Sequence, residues 1–281
     1  WLARLAAAGV TLQTRLRWRG WDESGAHLFD TPAGGLRLRP AATVLALGGA
    51  SWARLGSDGA WTGLLSARGV DIAPFRPANV GIRRVWSAHM SRHYGSPLKG
   101  VALRAGELEG RGECVVTRTG LEGGGIYALS PALRDGLPLV IDLAPGLDEA
   151  TLTERLTRAQ ERRDSLSNRL RKAARLDPVK LALLRECAGP RDPGAATLAR
   201  HVKALEVAHD GAAPIDQAIS VAGGIRHTAF DADLRLLVAQ DVLVAGEMLD
   251  WEAPTGGYLL TACLATGRHA GRRAAARANY P

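Results

Sequence analysis

The chain has 281 residues, a formal net charge of +8, 46% hydrophobic residues and a mean hydropathy of -0.05, values that exclude a disordered chain and allow roughly one to three domains. No apolar run approaches the ~20 residues that a membrane-spanning helix needs, and the opening Trp1-Leu2-Ala3-Arg4 lacks the layout of a signal peptide. Cys114, Cys187 and Cys263 are far apart, odd in number and without a CxxC pair, which argues against a disulfide framework, a zinc site or a dithiol centre and points to a cytoplasmic setting.

Residues 1–8 predict the end of a helix, with Leu2, Leu5 and Ala6 at helical spacing and Gly9 as the stop. Val10 to Trp18 alternates apolar and polar residues and predicts a half-exposed strand. Two further short strands, 26–30 and 36–39, flank Pro32-Ala33-Gly34-Gly35 and complete a three-strand meander. Ala42 to Leu47 (ATVLAL) is a continuous apolar run, as expected of a strand covered on both faces in a parallel sheet. It ends in Gly48-Gly49. A helix is predicted from Asp58 to Arg68, stopped by Gly69.

From Ala73 the texture changes to short apolar runs punctuated by Pro74, Pro77, Pro97 and many glycines. Residues 76–144 predict a β-rich unit. His89, His93 and Tyr94 have two readings, one facing a substrate pocket and one as packed or surface residues, and the second is the commoner fate of such side chains. Gly123-Gly124-Gly125-Ile126-Tyr127-Ala128 fits GxGxxA, and Asp142 ends a later predicted strand, an imitation of a dinucleotide fingerprint. The helix between them is short and contains Pro131, so it spans poorly along a sheet. Asp148 to Lys203 predicts helices divided by Pro178, Pro190 and Pro193. Residues 154–203 hold thirteen Lys/Arg and six Asp/Glu, a difference of +7 out of the chain's +8. Arg162-Arg163 and Arg169-x-Arg171-Lys172 suggest a basic face. No aromatics are interleaved, so stacked bases have no platform. Only four basic residues in the chain are lysines, Lys99, Lys172, Lys180 and Lys203, a bias that points to genome composition before it points to nucleic acid.

Ala218 to Ala222 predicts a strand leading to Gly223-Gly224, and 227–237 a connecting hairpin or loop. Val242 to Ala245 predicts a short buried strand, broken by Gly246-Glu247. A polar loop with Asp250 and Glu252 follows, and Pro254-Thr255-Gly256-Gly257 turns the chain into a helix near Tyr258. Glycines at a helix start let backbone approach a ligand closely. The free N–H groups there favour an electron-rich partner. A carboxylate just after a strand can accept hydrogen bonds from ligand hydroxyls.

The order strand–AGE–x–LD–x5–GGY–helix resembles the C-terminal FAD-binding motif of the BaiN-type flavoproteins, which are NAD(P)/FAD-dependent oxidoreductases. The meander, buried strand and glycine turn occur in the same order in that family. The resemblance implies cofactor contacts from Gly246, Glu247, Asp250, Gly256, Gly257 and Tyr258, and from Gly48, Gly49, Ser51, Gly56 and Asp58 in the first glycine turn. It also implies that the β-rich unit covers the flavin and shapes the substrate pocket. The TGLEGGGIYALS stretch matches the family's inserted part, where it is not the cofactor loop. The family's N-terminal strand–GxGxxG–helix does not occur in these residues, so the sequence reads as beginning after it, with exposed sheet edges and apolar surface expected.

The expected fold is α/β: a discontinuous, Rossmann-like FAD-binding domain, residues 1–75 and 214–281, enclosing a β-rich subdomain, 76–147, and a helical subdomain, 148–213. The resemblance implies an FAD-dependent oxidoreductase taking hydride from NAD(P)H to a small-molecule substrate. No residue is singled out as catalytic, and neither a metal nor a membrane partner is expected. Two other readings stand beside it, a nucleic-acid-binding module using the basic helices and a non-catalytic flavin-binding sensor. Gly257, in the first turn, is expected to tolerate proline.

Overall fold

Two parallel strands, nearly 200 residues apart in sequence, form the centre of the region that carries the candidate site. In the computed structural model, which describes residues 1–162 and 164–278, Thr43–Leu45 runs parallel to Ala239–Val244, with Val44 opposite Leu243. Val242, Leu243, Val244 and Ala245 are fully buried. Each buried branched side chain contributes about 1.5–3 kcal/mol, so the strand end presenting Gly246 is firmly held. Arg235–Leu236 completes this sheet by antiparallel pairing. The first parallel strand is shorter than its apolar run. Ala46 and Leu47 leave the ladder, and the Leu47 N–H turns instead to Met248 Sδ at 3.0 Å.

The meander is formed by Arg17–Trp21, His27–Thr31 and Gly34–Leu38. Its first strand begins later than the alternation from Val10 predicts. The partner strand has five residues, so the ladder ends where Arg17 meets Asp30. Val10 and Leu12 are left exposed, and the preceding helix, Leu2–Ala7, buries none of its residues.

The meander holds a buried histidine. Trp18 Nε1 points at His27 Nδ1 (3.1 Å) and Trp21 Nε1 at His27 Nε2 (3.2 Å), with Thr43 Oγ1 2.9 Å from Nε2. A neutral imidazole can accept at one nitrogen and an imidazolium at neither. Burial, followed by the Arg68 charge, lowers the His27 pKa, with Asp241 opposing. Below ~6.5 the unfolded chain takes up a proton that the folded chain refuses until its own lower pKa is reached. Stability conferred by the neutral ring is therefore present above that value and lost as the pH falls below it. Unfolding followed by tryptophan emission is expected to show this acid-side loss. A His27→Leu variant should flatten the slope by up to about one proton, and an unchanged slope would show that the ring does not titrate in this way.

Between the two parallel strands the chain builds a six-stranded antiparallel sheet, in the order Leu205–Val207, Leu139–Asp142, Pro97–Ala105, Leu108–Thr117, Gly120–Glu122, Ile82–Arg83. Four helices pack with it, Glu149–Glu161, Leu166–Ala174, Pro178–Ala188 and Ala195–Lys203. Asp148, Ser165 and Asp177 cap the first three by accepting the amides of Thr151, Asn168 and Lys180, an arrangement worth about 1 kcal/mol per cap. Of the predicted basic face, Arg169 turns inward while Arg162, Arg171 and Lys172 stay exposed; Lys180 and Lys203, elsewhere in the helical segment, also turn inward. Arg169 is 3% exposed and pairs with Asp192, Lys180 donates to the Leu143 carbonyl at 2.9 Å, and Lys203 meets Asp142 at 2.6 Å. Arg163 of that face lies outside the described residues.

The glycine triplet is not a dinucleotide loop. The strand before it, Gly120–Glu122, is antiparallel to its neighbours, and the strand carrying Asp142 is antiparallel to Pro97–Ala105. The expected single helix divides into Gly124–Tyr127 and Ser130–Arg134, with Pro131 in the first turn of the second, where its missing N–H costs little. A Cβ at Gly125 would lie 2.9 Å from the Glu113 carbonyl, so this glycine serves close packing on the sheet.

Ile72–Ala78 pairs antiparallel with Ser220–Ile225 and links the two regions. The helix Tyr258–Ala278 closes the chain. Ala270 is its one buried residue among those described, while Leu260 and Leu264 are 66% and 60% exposed. No helix of the described residues is long and apolar enough to cross a membrane.

Candidate functional site

The adjacent parallel strands end side by side, and both chains then turn on glycine. In open α/β sheets this edge, beyond the carboxyl ends of the strands, is where ligands bind. Gly48 has φ +76° and Gly246 has φ +80°, the left-handed region that glycine enters freely. Trp61 Nε1 donates to the Gly48 carbonyl at 3.0 Å and fixes the first turn.

Glu247 joins these two turns to a third strand. Its Oε2 accepts from the Gly49 amide and its Oε1 from the Val221 amide, each at 3.2 Å. Burial raises its pKa, with the two amide bonds acting in opposition. A Cβ at Gly49 would stand 2.5 Å from Val221 Cγ2 and 2.9 Å from the Glu247 carboxyl carbon. Glycine is therefore required there by the protein's own packing. Each carboxylate oxygen keeps a lone pair for a further donor.

Two buried hydroxyls flank the Gly48-Gly49 turn without hydrogen-bond partners, Ser51 Oγ and Ser57 Oγ. Ser51 is 1% exposed and borders a cavity of about 350 Å³ shared with Trp52, Arg54 and Asp216. A buried hydroxyl left unpaired carries a desolvation cost of roughly 1–3 kcal/mol, which a polar group of a ligand would relieve.

Gly246 donates to Thr266 Oγ1 at 3.1 Å, seating the middle of the closing helix against the second turn. The helix start is open. Gly256, Gly257 and Tyr258 are exposed, the glycines have φ +102° and +89°, and a Cβ at Gly257 would meet nothing within 4 Å. The left-handed φ at Gly257 overturns the expectation that proline fits there, because proline is locked near -65°. Behind this start stand 21 helical residues, whose aligned peptides place about half a positive charge at the first turn.

The remaining predicted residues lie apart from the Gly49–Glu247 junction. Gly56 and Asp58 line a second cavity, of about 380 Å³, with Trp18, Leu47 and Trp61. Asp58 Oδ1 accepts from the Ala60 amide at 3.0 Å ahead of the helix Trp61–Ser66, which is shorter than its predicted span because Asp58 and Gly59 shape the turn before it. Asp250 sits 3.9 Å from Arg226, and its amide donates to the Ile225 carbonyl at 2.9 Å. His89 and His93 belong to the intervening segment. His89 Nδ1 lies 2.7 Å from Ser87 Oγ, and burial lowers the pKa of His93. The sequence reading missed Asp216, Arg54, Asn79 and Arg134, for which no local pattern stands out. Ser57 lay within the glycine-rich turn and differs from Ser51 in no way that a sequence displays.

A doubly glycine-turned parallel strand pair, orphaned hydroxyls and an open helix start fit a nucleotide cofactor held on a Rossmann-type sheet. The family model described as HI0933-like protein Rossmann domain matches residues 1–273, and the chain belongs to this family, with a mixed α/β Rossmann-type domain. No curated protein matches the chain. Among solved structures, a mutant of the E. coli quinol fumarate reductase subunit FrdA is similar at 17% identity and a TM-score of 0.40, covering 94% of this chain and 44% of that one. The chain thus spans less than half the length of that protein.

Proposed function

We propose that the protein is a BaiN-type FAD-dependent oxidoreductase that passes hydride, with NAD(P)H as donor, to a small-molecule substrate. The observation that carries this reading is the junction of Gly49, Glu247 and Val221 at the ends of the parallel strands, in a chain of the HI0933-like family. Residues 1–75 and 214–281 form one discontinuous FAD-binding domain in this reading. Residues 76–147 and 148–213 are insertions that shape the substrate side. When bound, FAD supplies the two-electron chemistry. The protein supplies placement and electrostatics. Glu247, braced by two amides, offers its remaining lone pairs to ribityl hydroxyls. Ser51 and Ser57 offer unpaired hydroxyls, and Gly256, Gly257 and Tyr258 offer backbone N–H groups to an electron-rich ring edge.

A specific observation weighs against the nucleic-acid reading. Arg169, Lys180 and Lys203 spend their charge inside the protein, on Asp192, on the Leu143 carbonyl and on Asp142, so the helical segment offers a polyanion fewer free cations than its composition suggests. The full-length product of the gene should show flavin absorbance between roughly 350 and 500 nm, and turnover with NADH or NADPH separates an enzyme from a sensor. A full-length protein that stays colourless after incubation with FAD sinks the proposal.

A further inference from the structure

We propose that Arg134 and Asn79 are positioning residues that fix the loop 250–257, and through it the open start of the helix Tyr258–Ala278. The inference rests on the reading that this helix start meets the flavin. Arg134 ends a short helix of the intervening segment. Its side chain is 9% exposed and grips Glu252 with two bonds, 2.9 and 3.0 Å, while Nη1 also donates to the Pro77 carbonyl at 2.9 Å. Asn79 approaches the next residue from another direction. It is buried at φ +49°, and its Nδ2 donates to the Ala253 carbonyl at 2.8 Å and to Ser220 Oγ at 2.7 Å.

Two consecutive residues, Glu252 and Ala253, are thus pinned by groups from outside the loop. The next residues, Pro254 to Gly257, are exposed, and paired glycines have no conformational preference strong enough to hold a shape alone. The fixed point behind them therefore decides where the helix start lies. A forked guanidinium–carboxylate pair fixes direction as well as distance, which a lysine ammonium does not. Because both anchors belong to the segment outside the parallel sheet, the packing of that segment is coupled to the geometry of the helix start.

The test uses the full-length protein with Arg134→Gln, Glu252→Gln, the double variant and Arg134→Lys. Amide hydrogen exchange across residues 250–260, flavin dissociation constant and midpoint potential are measured for each. Arg134→Gln is expected to raise exchange locally and weaken flavin binding at least about tenfold, with a shifted potential. Glu252→Gln should behave alike, and the double variant no worse than either single one, as for a coupled pair. Arg134→Lys should recover part of the loss. Unchanged affinity and potential in a folded Arg134→Gln protein overturns the proposal. So does faster exchange throughout the parallel strands, which would mark a general loss of structure. A wild-type protein without flavin is a different failure, visible before any variant is made; it removes the function reading and this role with it.

Discussion

Gly223→Ala is expected to cost about 3 kcal/mol or more, a large share of the stability of a chain of this kind. Gly223 lies in the bulge that interrupts pairing of Ser220–Ile225 with Ile72–Ala78, between Ala222 opposite Arg76 and Gly224 opposite Ala73. Its φ is +93°, and a Cβ would stand 2.3 Å from the Pro74 carbonyl oxygen and 2.8 Å from its carbon. Those are backbone atoms, so no rotamer change can relieve the clash. The penalty for a left-handed L-residue adds to it. Gly224 solves the same problem on the other side, where a Cβ would stand 2.4 Å from the Met248 carbonyl oxygen. The glycine pair lets one strand pass between the Ala73-Pro74 backbone and the 246–250 turn that carries Glu247. At roughly 2–4 °C per kcal/mol for a domain of comparable size, the melting temperature should drop by about 6–12 °C. Gly63→Ala is the control. This exposed glycine in the helix Trp61–Ser66 has nothing within 4 Å of its Cβ position, so alanine there should be neutral or gain a few tenths of a kcal/mol to about 1 kcal/mol. Equal melting temperatures for the two variants would contradict the bulge geometry.

The parts of this molecule legible in its sequence are those encoded by neighbours along the chain. The run VLVA announces a covered strand, because apolar character on both faces suits a strand enclosed in an α/β fold; the run ATVLAL announces a strand as well, but only Thr43–Leu45 pairs, at the edge of its sheet, with Leu45 buried and Ala46 exposed. Asp148 announces a helix start because a capping side chain acts within three residues, and Pro178 announces another because proline suits the first helical position. Long-range geometry is not encoded that way. Val10 to Trp18 alternates as a strand should, yet its first half has no partner, since the neighbouring strand is too short to reach it. Glu247 stood out as a carboxylate after a strand, the right place for a ligand contact. Its two amide partners, Gly49 and Val221, come from residues 198 and 26 positions away, and nothing local signals them. In the sequence His27 is one polar residue of the short predicted strand 26–30. Its burial between two indoles follows from a register in which Trp21 lies opposite His27. Arg134 and Asn79 are invisible for the same reason, because each acts on a loop more than 100 residues away.

Tyr258→Pro is expected to lower the midpoint potential of the bound flavin relative to Tyr258→Ala. Gly257 is closed to proline by its φ of +89°, whereas Tyr258 is the first helical residue, the position where proline's fixed φ suits the chain. The Tyr258 side chain is 58% exposed, so the alanine variant accounts for its removal, and comparison of the two variants isolates one backbone N–H. The functional reading places that N–H at the ring edge where reduction adds negative charge. A donor there stabilises the reduced ring more than the oxidised one, aided by the aligned dipoles of the helix behind it. A hydrogen bond to a charged group contributes about 1.5–3 kcal/mol. For a two-electron couple, about 30 mV corresponds to 1.4 kcal/mol, so the proline variant should lie roughly 30–65 mV below the alanine variant. Flavin absorbance and circular dichroism establish that both variants remain folded and loaded. Equal potentials in two such proteins would mean that this N–H does not contact the ring and that the helix start serves some other part of the cofactor.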